Sequence, residues 1–295
     1  MRVLITGAGG QLGLDLVDAF DDHDVTALVH RDLDITDEAA VTAAIEVLAP
    51  DLVLNAAAWT DVDGCERDPE RAHASNALGP WWLARACARR AATLVTFSTD
   101  YVFDGVAPVG PDGGPRGFDE WDPTGPLGVY GRSKLAGEQL VRSTLEHHHI
   151  VRTSWLSGAR GRNFVRTIRD AAREGRPLRV VDDQIGSPTT TRDLAAAVRA
   201  LAVSGRYGTV HLANGGACSW FDLATAIIEE SRLDVELDRQ SSSALTRAAR
   251  RPAWSVLDTT HARASGVPPL PHWRDGLVRL LAELGAEEGA GGARG

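Results

Sequence analysis

A tyrosine and a lysine four residues apart, Tyr130 and Lys134, carry the most specific chemistry in this sequence. Lys134 is the only lysine among 31 Lys and Arg residues, and Tyr130 is one of 3 tyrosines. Lysine and arginine differ in hydration and in how readily their pKa shifts, so the single lysine indicates a position where a guanidinium does not suffice. The alternative is an incidental pair on a surface helix, because the YxxxK pattern alone is weak.

Residues 130–141 are predicted to form a helix, with Leu135, Leu140 and Val141 on its apolar side. Side chains at positions i and i+4 share a helix face, so the phenol and the ammonium would project to the same place. A cation close to a phenol favours the phenolate and lowers its pKa from about 10 toward neutrality. We therefore expect Tyr130 to act as a general acid whose pKa is lowered by Lys134.

A glycine-rich turn, GAGGQLG at 7–13, separates a short apolar strand from an amphipathic helix. The spacing departs from GxGxxG because position 12 is leucine, but Gly7, Gly10 and Gly13 satisfy GxxGxxG. A strand, a glycine turn and a helix N-terminus bring backbone amides and the positive end of the helix dipole to one anion site. The turn therefore predicts a dinucleotide site, the alternative being a plain turn.

The residues that follow the second predicted strand, at 25–29, bear on the choice of dinucleotide. They are His30, Arg31 and Asp32. In dinucleotide-binding folds an acidic residue here binds the ribose hydroxyl, whereas an arginine favours the 2′-phosphate. The segment offers both chemistries. Because of Arg31 we predict NADPH, with NADH possible.

Two further predicted strands end in residues that suit a ligand. The strand at 51–55 leads into three alanines at 56–58, and the strand at 93–98 leads into Thr99. Small side chains at the carboxyl end of a strand let backbone approach a ligand, and this is the usual ligand-binding edge of such sheets. A hydroxyl at Thr99 would reach the face that carries Tyr130. For the alanines, the alternative is an ordinary turn in an alanine-rich protein.

Strands and helices alternate through the first half of the chain, which predicts a Rossmann-type, doubly wound α/β fold with helices on both faces of a parallel sheet. We assign residues 1–155 to an NAD(P)-binding domain. Residues 156–285 are predicted to be a smaller C-terminal α/β, mainly substrate-binding portion, with some segments returning to the first domain. Residues 286–295 have almost no apolar content and are predicted to be a disordered tail.

Three local expectations concern segments outside the strands of the sheet. The stretch 69–90 is predicted to be one helix. The stretch 104–128 is rich in Gly and Pro, and a loop of this length inside a compact domain indicates a functional lid rather than a packing element. The run of histidines at 147–149 is predicted to be a solvated helix end, because consecutive residues on a helix point in different directions and do not share a metal ion easily.

The bulk composition excludes several classes of function. A formal net charge of −9 argues against nucleic acid as the main partner. No apolar run is long enough to span a membrane, and the first residues are predicted to form a strand rather than a signal peptide. The 3 cysteines have no metal-like spacing, which fits a reducing cytoplasm. We expect a cytoplasmic enzyme that is a monomer or a homodimer.

The chain as a whole resembles the extended short-chain dehydrogenase/reductase superfamily and, within it, the dTDP-4-dehydrorhamnose reductase family. The resemblance extends in family order over nearly the whole chain. Its motifs are GAGGQLG (7–13), DITD (34–37), NAAAWTDVDGCE (55–66), NALGPWWLA (76–84), FSTDYVFDG (97–105), VYGRSKLAGE (129–138), VRTSWLSG (151–158), NFVRTI (163–168), DQIGSPT (183–189) and RPAWSVLD (251–258).

This resemblance implies reduction of the 4-keto group of a dTDP-linked 6-deoxyhexose, with dTDP-4-dehydro-L-rhamnose as the expected substrate. Thr99, Tyr130 and Lys134 are the implied catalytic set. The implied cofactor positions, to which we add Arg31 and Asn76, are Gly7, Gly10, Gln11, Leu12, Asp34, Ile35, Ala56, Ala57, Ala58, Tyr130 and Lys134. The expected substrate-binding residues are Thr99, Asp100, Tyr101, Trp155 and Asn163.

Departures from the family pattern leave alternatives open. Trp59 stands where the family commonly has tyrosine, and the loop at 109–117 is longer than expected, so reduction of another dTDP-deoxysugar is one alternative. An epimerase or dehydratase is a further alternative, although Asp100 is followed by Tyr101 and not by the glutamate that dehydration needs. A non-catalytic regulatory subunit is the third. Some family members hold magnesium between subunits, but only Asp15 matches a ligand, and we predict no metal.

Overall fold

The computed structural model describes residues 1–292, with side chains described through residue 286. The strands are β1 (Arg2–Thr6), β2 (Asp24–Leu28), β3 (Leu52–Asn55), β4 (Thr93–Thr99), β5 (His148–Thr153), β6 (Leu156–Ser157), β7 (Leu178–Val181), β8 (Ile185–Gly186), β9 (Thr189–Thr190), β10 (Gly208–His211), β11 (Cys218–Ser219), β12 (Leu237–Gln240) and β13 (Trp254–Ser255). The helices are α1 (Gln11–Ala19), α2 (Glu38–Leu48), α3 (Val62–Arg67), α4 (Pro69–His73), α5 (Gly79–Arg90), α6 (Val129–Thr144), α7 (Phe164–Arg173), α8 (Thr191–Ala202), α9 (Trp220–Glu230), α10 (Thr260–Ala264) and α11 (Trp273–Gly292).

The main sheet has six strands in the order β2–β1–β3–β4–β5–β10, and every neighbouring pair is parallel. The chain passes from β1 to β2 on one side and then returns to β3 on the other. A reversal of this kind opens a crevice at the carboxyl ends of the two strands that flank it, here β1 and β3. The predicted doubly wound α/β fold is confirmed.

Each face of the main sheet is covered by helices over a continuous apolar cluster. On one face, Leu16 of α1 and Val198 of α8 pack with Ile5. On the other face, α2, α5 and α6 contribute residues such as Ile45 and Leu83. Both α8 and β10 come from the second half of the chain, so this half supplies a helix and an edge strand to the main sheet.

A third apolar cluster lies in the C-terminal portion and joins α7, α9 and α11. It includes Val165, Ile227, Leu277 and Leu284. Because α11 is anchored there and continues through alanine and glutamate, which are good helix formers, it extends to Gly292. The disordered tail expected at 286–295 stays a prediction, and residues 293–295 lie outside the described part of the chain.

The segment predicted as one helix from 69 to 90 is divided in two. A wide π-helical turn at Ala74–Leu78 separates α4 from α5, and the Gly79 amide donates to the Ala74 carbonyl. Pro80 has no N–H with which to continue the regular pattern of hydrogen bonds. The turn widens where the sequence places this proline, and it buries Asn76.

The loop at 104–128 packs against the body of the protein, so the prediction of a lid rather than a packing element is wrong. Phe118 is buried and stacks on Phe103 with ring centroids 4.1 Å apart. Arg116 donates to both carboxylate oxygens of Asp122 at 2.6 and 2.7 Å. The Trp254 indole donates to the Arg116 carbonyl at 2.9 Å. A single aromatic anchor and a bidentate ion pair order a segment that is otherwise rich in glycine and proline.

The histidine run is also not a solvated helix end. Strand β5 begins at His148, and both His148 and His149 are buried. Helix α6 ends at Thr144, so the chain enters the sheet earlier than the sequence pattern indicated. No helix among the described residues is long and apolar enough to cross a membrane.

Candidate active site

A cavity of about 360 Å³ lies at the carboxyl edge of the main sheet, above β1, β3, β4 and β5. We call it the tyrosine cavity. The structure brings most of the predicted catalytic, cofactor and substrate residues to its walls. These are Gly10, Gln11, Leu12, Ala56, Ala58, Thr99, Asp100, Tyr101, Tyr130, Lys134 and Trp155.

A second cavity of about 440 Å³ adjoins it on the side of β2 and shares Gly10, Ala56 and Ala58 with it. We call it the glycine-turn cavity. Four more predicted cofactor residues line this cavity, namely Gly7, Asp34, Ile35 and Ala57. Asp34 also accepts hydrogen bonds from the Thr36 amide and hydroxyl at 2.9 and 2.8 Å. The backbone amide of Thr36 is the main cause that lowers the pKa of Asp34.

The sheet edge between the two cavities is fixed by a row of buried polar side chains. Thr6 donates to the Asn55 amide oxygen at 2.7 Å, and the Asn55 amide nitrogen donates to Thr96 at 3.2 Å. These residues are direct neighbours in the register of β1, β3 and β4. Buried polar groups that are all paired rigidify their surroundings, so the crevice has a stiff floor.

The glycine turn fits an anionic group such as a dinucleotide diphosphate. Gly7 has φ +68°, and a Cβ on it would lie 2.5 Å from the Ala57 amide nitrogen, so only glycine lets β1 and β3 approach this closely. Gly10 precedes α1 without a side-chain hydrogen bond to its first turn. The free amides and the helix dipole at this N-terminus are the usual binding site for phosphate.

Helix α6 is held close to the turn that follows β4. A Cβ on Gly131 would lie 2.1 Å from the Tyr101 carbonyl oxygen, so glycine is required for this contact. The first amide of the helix, on Val129, donates to the Glu66 carboxylate at 2.6 Å. The two contacts position Tyr130 against Tyr101, with an edge-to-face ring contact of 5.5 Å between centroids.

Lys134 is buried, and its ammonium donates to the Phe97 carbonyl at 3.0 Å. Burial lowers the pKa of Lys134 to about 8, partly offset by the acidic groups of Cys65 and Glu138. The amine is therefore mostly protonated at neutral pH, yet far more easily deprotonated than a surface lysine.

The pKa of the Tyr130 phenol moves in the direction opposite to our expectation. Burial raises it, the Asp100 carboxylate raises it further, and a hydrogen bond with Thr99 offsets part of the rise. Lys134 is not among the main causes of the shift. The prediction of a lowered pKa is wrong because desolvation in the closed crevice outweighs the effect of the ammonium. The phenol remains protonated at neutral pH, which is the form that can donate a proton.

Thr99 and Asp100 form the wall of the cavity next to Tyr130. The Thr99 hydroxyl donates to the Asp100 carboxylate at 2.9 Å and accepts from the Tyr101 amide at 3.2 Å. Burial raises the pKa of Asp100 to about 6, and the neighbouring Ser255 and Thr99 hydroxyls offset part of the rise. A hydroxyl and a carboxyl with a near-neutral pKa thus face the same space as the phenol.

Trp155 lines the tyrosine cavity on the side where the C-terminal portion of the chain packs. Its backbone has φ +47°, which is costly for a bulky residue, and its indole stacks on Trp220 with centroids 3.6 Å apart. Gly186 lies against the same indole, since a Cβ there would be 2.4 Å from it. Strained backbone that is held by surrounding packing is common at ligand sites, and here it places the indole in the cavity wall.

A buried ion pair beneath the catalytic candidates escaped the sequence reasoning. The Arg152 guanidinium on β5 donates to both Glu138 oxygens at 2.9 and 2.7 Å. Ser98, next to Thr99, donates to the same carboxylate at 2.5 Å. Glu138 follows Lys134 by one helical turn, so this cluster ties α6 to β4 and β5. The available signal was an arginine inside an apolar strand, since buried charges in such strands require partners.

Three of the predicted site residues line neither cavity. The Arg31 side chain is 88% exposed and lies 3.6 Å from Asp32, outside both cavities. Asn76 is buried behind the site, where it hydrogen-bonds the backbone of Trp59. Asn163 caps α7 through the Arg166 amide and donates to Gln11 of the tyrosine cavity at 3.0 Å, but it does not line either cavity itself. Local sequence cannot distinguish a side chain that lines a cavity from one that supports its wall.

Asp15, the one residue matched to a magnesium ligand, accepts a hydrogen bond from Arg160 at 2.8 Å. Within residues 1–286, no group of three or more ligating side chains is placed to hold a metal ion.

A parallel sheet with a glycine turn at its switch point and a Tyr/Lys pair at its carboxyl edge defines a Rossmann-type, NAD(P)H-dependent oxidoreductase. Comparison with known proteins narrows this class. A family model described as RmlD substrate binding domain matches residues 1–286. The chain belongs to this family.

Individual relatives cover nearly the whole chain. It is 46% identical over 288 residues to dTDP-4-dehydrorhamnose reductase of Mycobacterium tuberculosis, covering 95% of this chain and 92% of the relative. It is 40% identical to a probable dTDP-4,6-dihydroxy-2-methyloxan-3-one 4-ketoreductase of Streptomyces antibioticus, covering 98% and 97%. A crystal structure of dTDP-4-dehydrorhamnose reductase from Bacillus anthracis, in complex with NADP, matches with a TM-score of 0.91 and 38% identity, covering 96% and 99%.

Proposed function

We propose that this chain reduces the 4-keto group of dTDP-4-dehydro-L-rhamnose with NADPH and yields dTDP-L-rhamnose. The observation that carries the proposal is the convergence of Thr99, Tyr130 and Lys134 on one cavity beside the glycine turn. The relatives named as reductases of dTDP-linked 4-keto sugars support the substrate class. The NADP complex of the Bacillus anthracis structure supports the cofactor.

The glycine-turn cavity would hold the adenosine side of the dinucleotide, and the N-terminus of α1 would hold its diphosphate. When bound, NADPH supplies the hydride that is added to the sugar's carbonyl carbon. The reduction also needs one proton on the carbonyl oxygen, so that a ketone becomes an alcohol. The remaining chemistry therefore belongs to the chain's own groups.

Tyr130 is the proton donor in this proposal. Its buried phenol is protonated at neutral pH and shares the cavity with Thr99. Thr99 would hydrogen-bond the carbonyl and orient it toward the phenol, and the Lys134 ammonium would stabilise negative charge as it develops. Asp100, Tyr101 and Trp155 would hold the sugar, with the indole face against its apolar side.

The test is incubation of the chain with NADPH and dTDP-4-dehydro-L-rhamnose. We expect stoichiometric oxidation of NADPH and a product that NMR identifies as dTDP-L-rhamnose. The same incubation with dTDP-4-keto-6-deoxy-D-glucose tests the alternative 4-ketoreductase reading, and faster turnover of that substrate would reject the rhamnose assignment. Conversion of a sugar without net loss of NADPH would reject the reductase in favour of an epimerase or dehydratase.

A further inference from the structure

An arginine that the sequence did not single out lies in the wall of the glycine-turn cavity. Arg71, on the short helix α4, is the only lysine or arginine among the residues that line this cavity. Arg31, which we expected to supply the positive charge, lies outside it beside Asp32. The positively charged side chain in the wall of the glycine-turn cavity is therefore that of Arg71, on α4, and not that of Arg31.

Arg71 is held by an aromatic platform. Its guanidinium carbon lies 4.4 Å from the centroid of the Trp59 ring. The Trp59 backbone is fixed in turn by Asn76, whose side chain accepts from its amide and donates to its carbonyl, both at 2.9 Å. Asn76 also donates to Ser133 of α6 at 3.1 Å. A guanidinium that stacks through its face keeps its N–H edge available for a planar anion.

The charge of Arg71 is not neutralised by any side chain in the described part of the protein. Among the described residues, no carboxylate lies within ion-pairing distance of its guanidinium. Nearby Arg67, by contrast, pairs with Asp61 at 3.5 Å. In a chain with a formal net charge of −9, an unpaired arginine in a cavity wall is suited to an anionic ligand.

The order of the strands indicates which anion this is. The adenosine ribose and its 2′-phosphate belong beside His30 at the end of β2, at one edge of the sheet. The nicotinamide belongs near Lys134, beyond β4. Trp59 follows the three alanines after β3, the strand between these two places, and lines the same cavity as Gly10 at the start of α1. The group that lies there in a bound dinucleotide is the diphosphate.

We infer that Arg71, held on the ring of Trp59, binds the diphosphate of the dinucleotide cofactor. It faces this group from the side opposite the glycine turn. The inference rests on the proposed function, because it assumes that a nicotinamide dinucleotide occupies the crevice. It assigns the arginine a general role in affinity, not in the choice between NADPH and NADH.

The test is the equilibrium binding of NADPH, NADH, ADP-ribose and 2′-AMP to Arg71→Ala, measured by calorimetry. We expect the Kd of the three diphosphate ligands to rise by a similar factor of about ten or more, the usual size for loss of a charge-assisted hydrogen bond. The Kd of 2′-AMP, which has a 2′-phosphate but no diphosphate, should stay unchanged. For the diphosphate ligands, the Kd values of Arg71→Lys should lie between those of the unaltered chain and those of Arg71→Ala, because lysine keeps the charge but loses the planar fork.

Arg67→Ala is the matched control, since it removes the same charge from a nearby surface position, and we expect its Kd values to stay within about twofold of the unaltered chain. Loss of affinity for NADPH and 2′-AMP with none for ADP-ribose would overturn the inference in favour of 2′-phosphate recognition. Unchanged affinities in Arg71→Ala would overturn it outright. If the unaltered chain bound neither NADPH nor NADH, the proposed function would fail as well.

Discussion

Strand β5 buries titratable side chains at both of its ends, but it accommodates them in different ways. At its carboxyl end, near the tyrosine cavity, Arg152 forms a two-pronged ion pair with Glu138. At its amino end, both ring nitrogens of His149 lack a hydrogen-bond partner among the described residues, and the ring packs 5.3 Å from Tyr207. Burial lowers the pKa of His149 to about 4, so this side chain is neutral at pH 7.

The contrast shows where this fold maintains a buried charge. A buried ion is costly unless it has a close counter-ion and further hydrogen bonds. At the carboxyl end those partners exist, and the pair connects α6, with Tyr130 and Lys134, to the strands beneath it. At the amino end only packing is required, and a neutral imidazole fills the space.

The largest difference between the two ends of β5 is expected from a pair of tyrosine substitutions. Tyr130→Phe is expected to reduce turnover by about 10²–10⁴, because it removes the proposed general acid, while the Kd for NADPH changes little. Tyr207→Phe, at the amino end of β5, is the matched control and should leave turnover unchanged. Steady-state kinetics and cofactor titration measure both. Near-normal turnover in Tyr130→Phe would show that the proton comes from another group.

The ion pair is tested by Arg152→Met. The free energy of unfolding is expected to fall by about 3–5 kcal/mol, since Glu138 is left buried without its partner. Urea denaturation measures the loss. Arg142→Met is the control, because this guanidinium lies 3.6 Å from the same carboxylate but is 49% exposed, so it should cost less than about 1 kcal/mol. Adding Glu138→Leu to Arg152→Met should recover most of the loss, and no recovery would contradict this account.

The buried His149 at the amino end of β5 predicts that the free energy of unfolding depends on pH. The pKa of His149 is about 4 in the folded protein against the ordinary value of 6.5, so below pH 6.5 the unfolded chain takes up a proton that the folded chain does not. The stabilisation is fully present above pH 6.5 and is lost as the pH falls to 4, by an amount of the order of 3 kcal/mol. Denaturation over this range should show a smaller loss in His149→Phe, and an equal loss would assign the dependence to other groups.

The lowered pKa of Lys134 predicts a smaller effect of pH, on catalysis, near the carboxyl end of β5. Its pKa is lowered to about 8, so the ammonium is present below pH 8 and is lost above it. The catalytic efficiency, kcat/KM, is expected to fall about tenfold for each pH unit above this value if the ammonium is required. Lys134→Arg should have lower activity but no such inflection, because a guanidinium keeps its charge. A profile that stays flat well above pH 8 in the unaltered chain would contradict the role given to the ammonium.

The features that the sequence predicted well are local ones. The glycine turn, the helix that carries Tyr130 and Lys134, and the alternation of strands and helices all follow from short-range spacing and backbone preference. The convergence of Thr99 with Tyr130 also follows, because parallel strands bring their carboxyl ends to one edge of the sheet.

The features that it missed depend on contacts between separate elements. The packing of Phe118 on Phe103, the pairing of Arg152 with Glu138 and the placement of Arg71 over Trp59 each join residues of different elements, which no helical or strand repeat brings together. The raised pKa of Tyr130 has the same origin, because desolvation depends on everything that closes around a group and not on one neighbour. The burial of His148 and His149 was not predicted for a related reason, because it depends on the strands beside them.

The wide turn at Ala74–Leu78 makes this part of the chain intolerant of changes in length. An α-helix turns by about 100° per residue, so removing one residue here would rotate α5 relative to α4 by that angle. Asn76 would then leave the backbone of Trp59, or Leu83 and Cys87 would leave the core. This short segment, which contributes only Ser75 to the wall of the glycine-turn cavity, thus sets the alignment of one side of the crevice, and insertions or deletions engineered into this protein should avoid it.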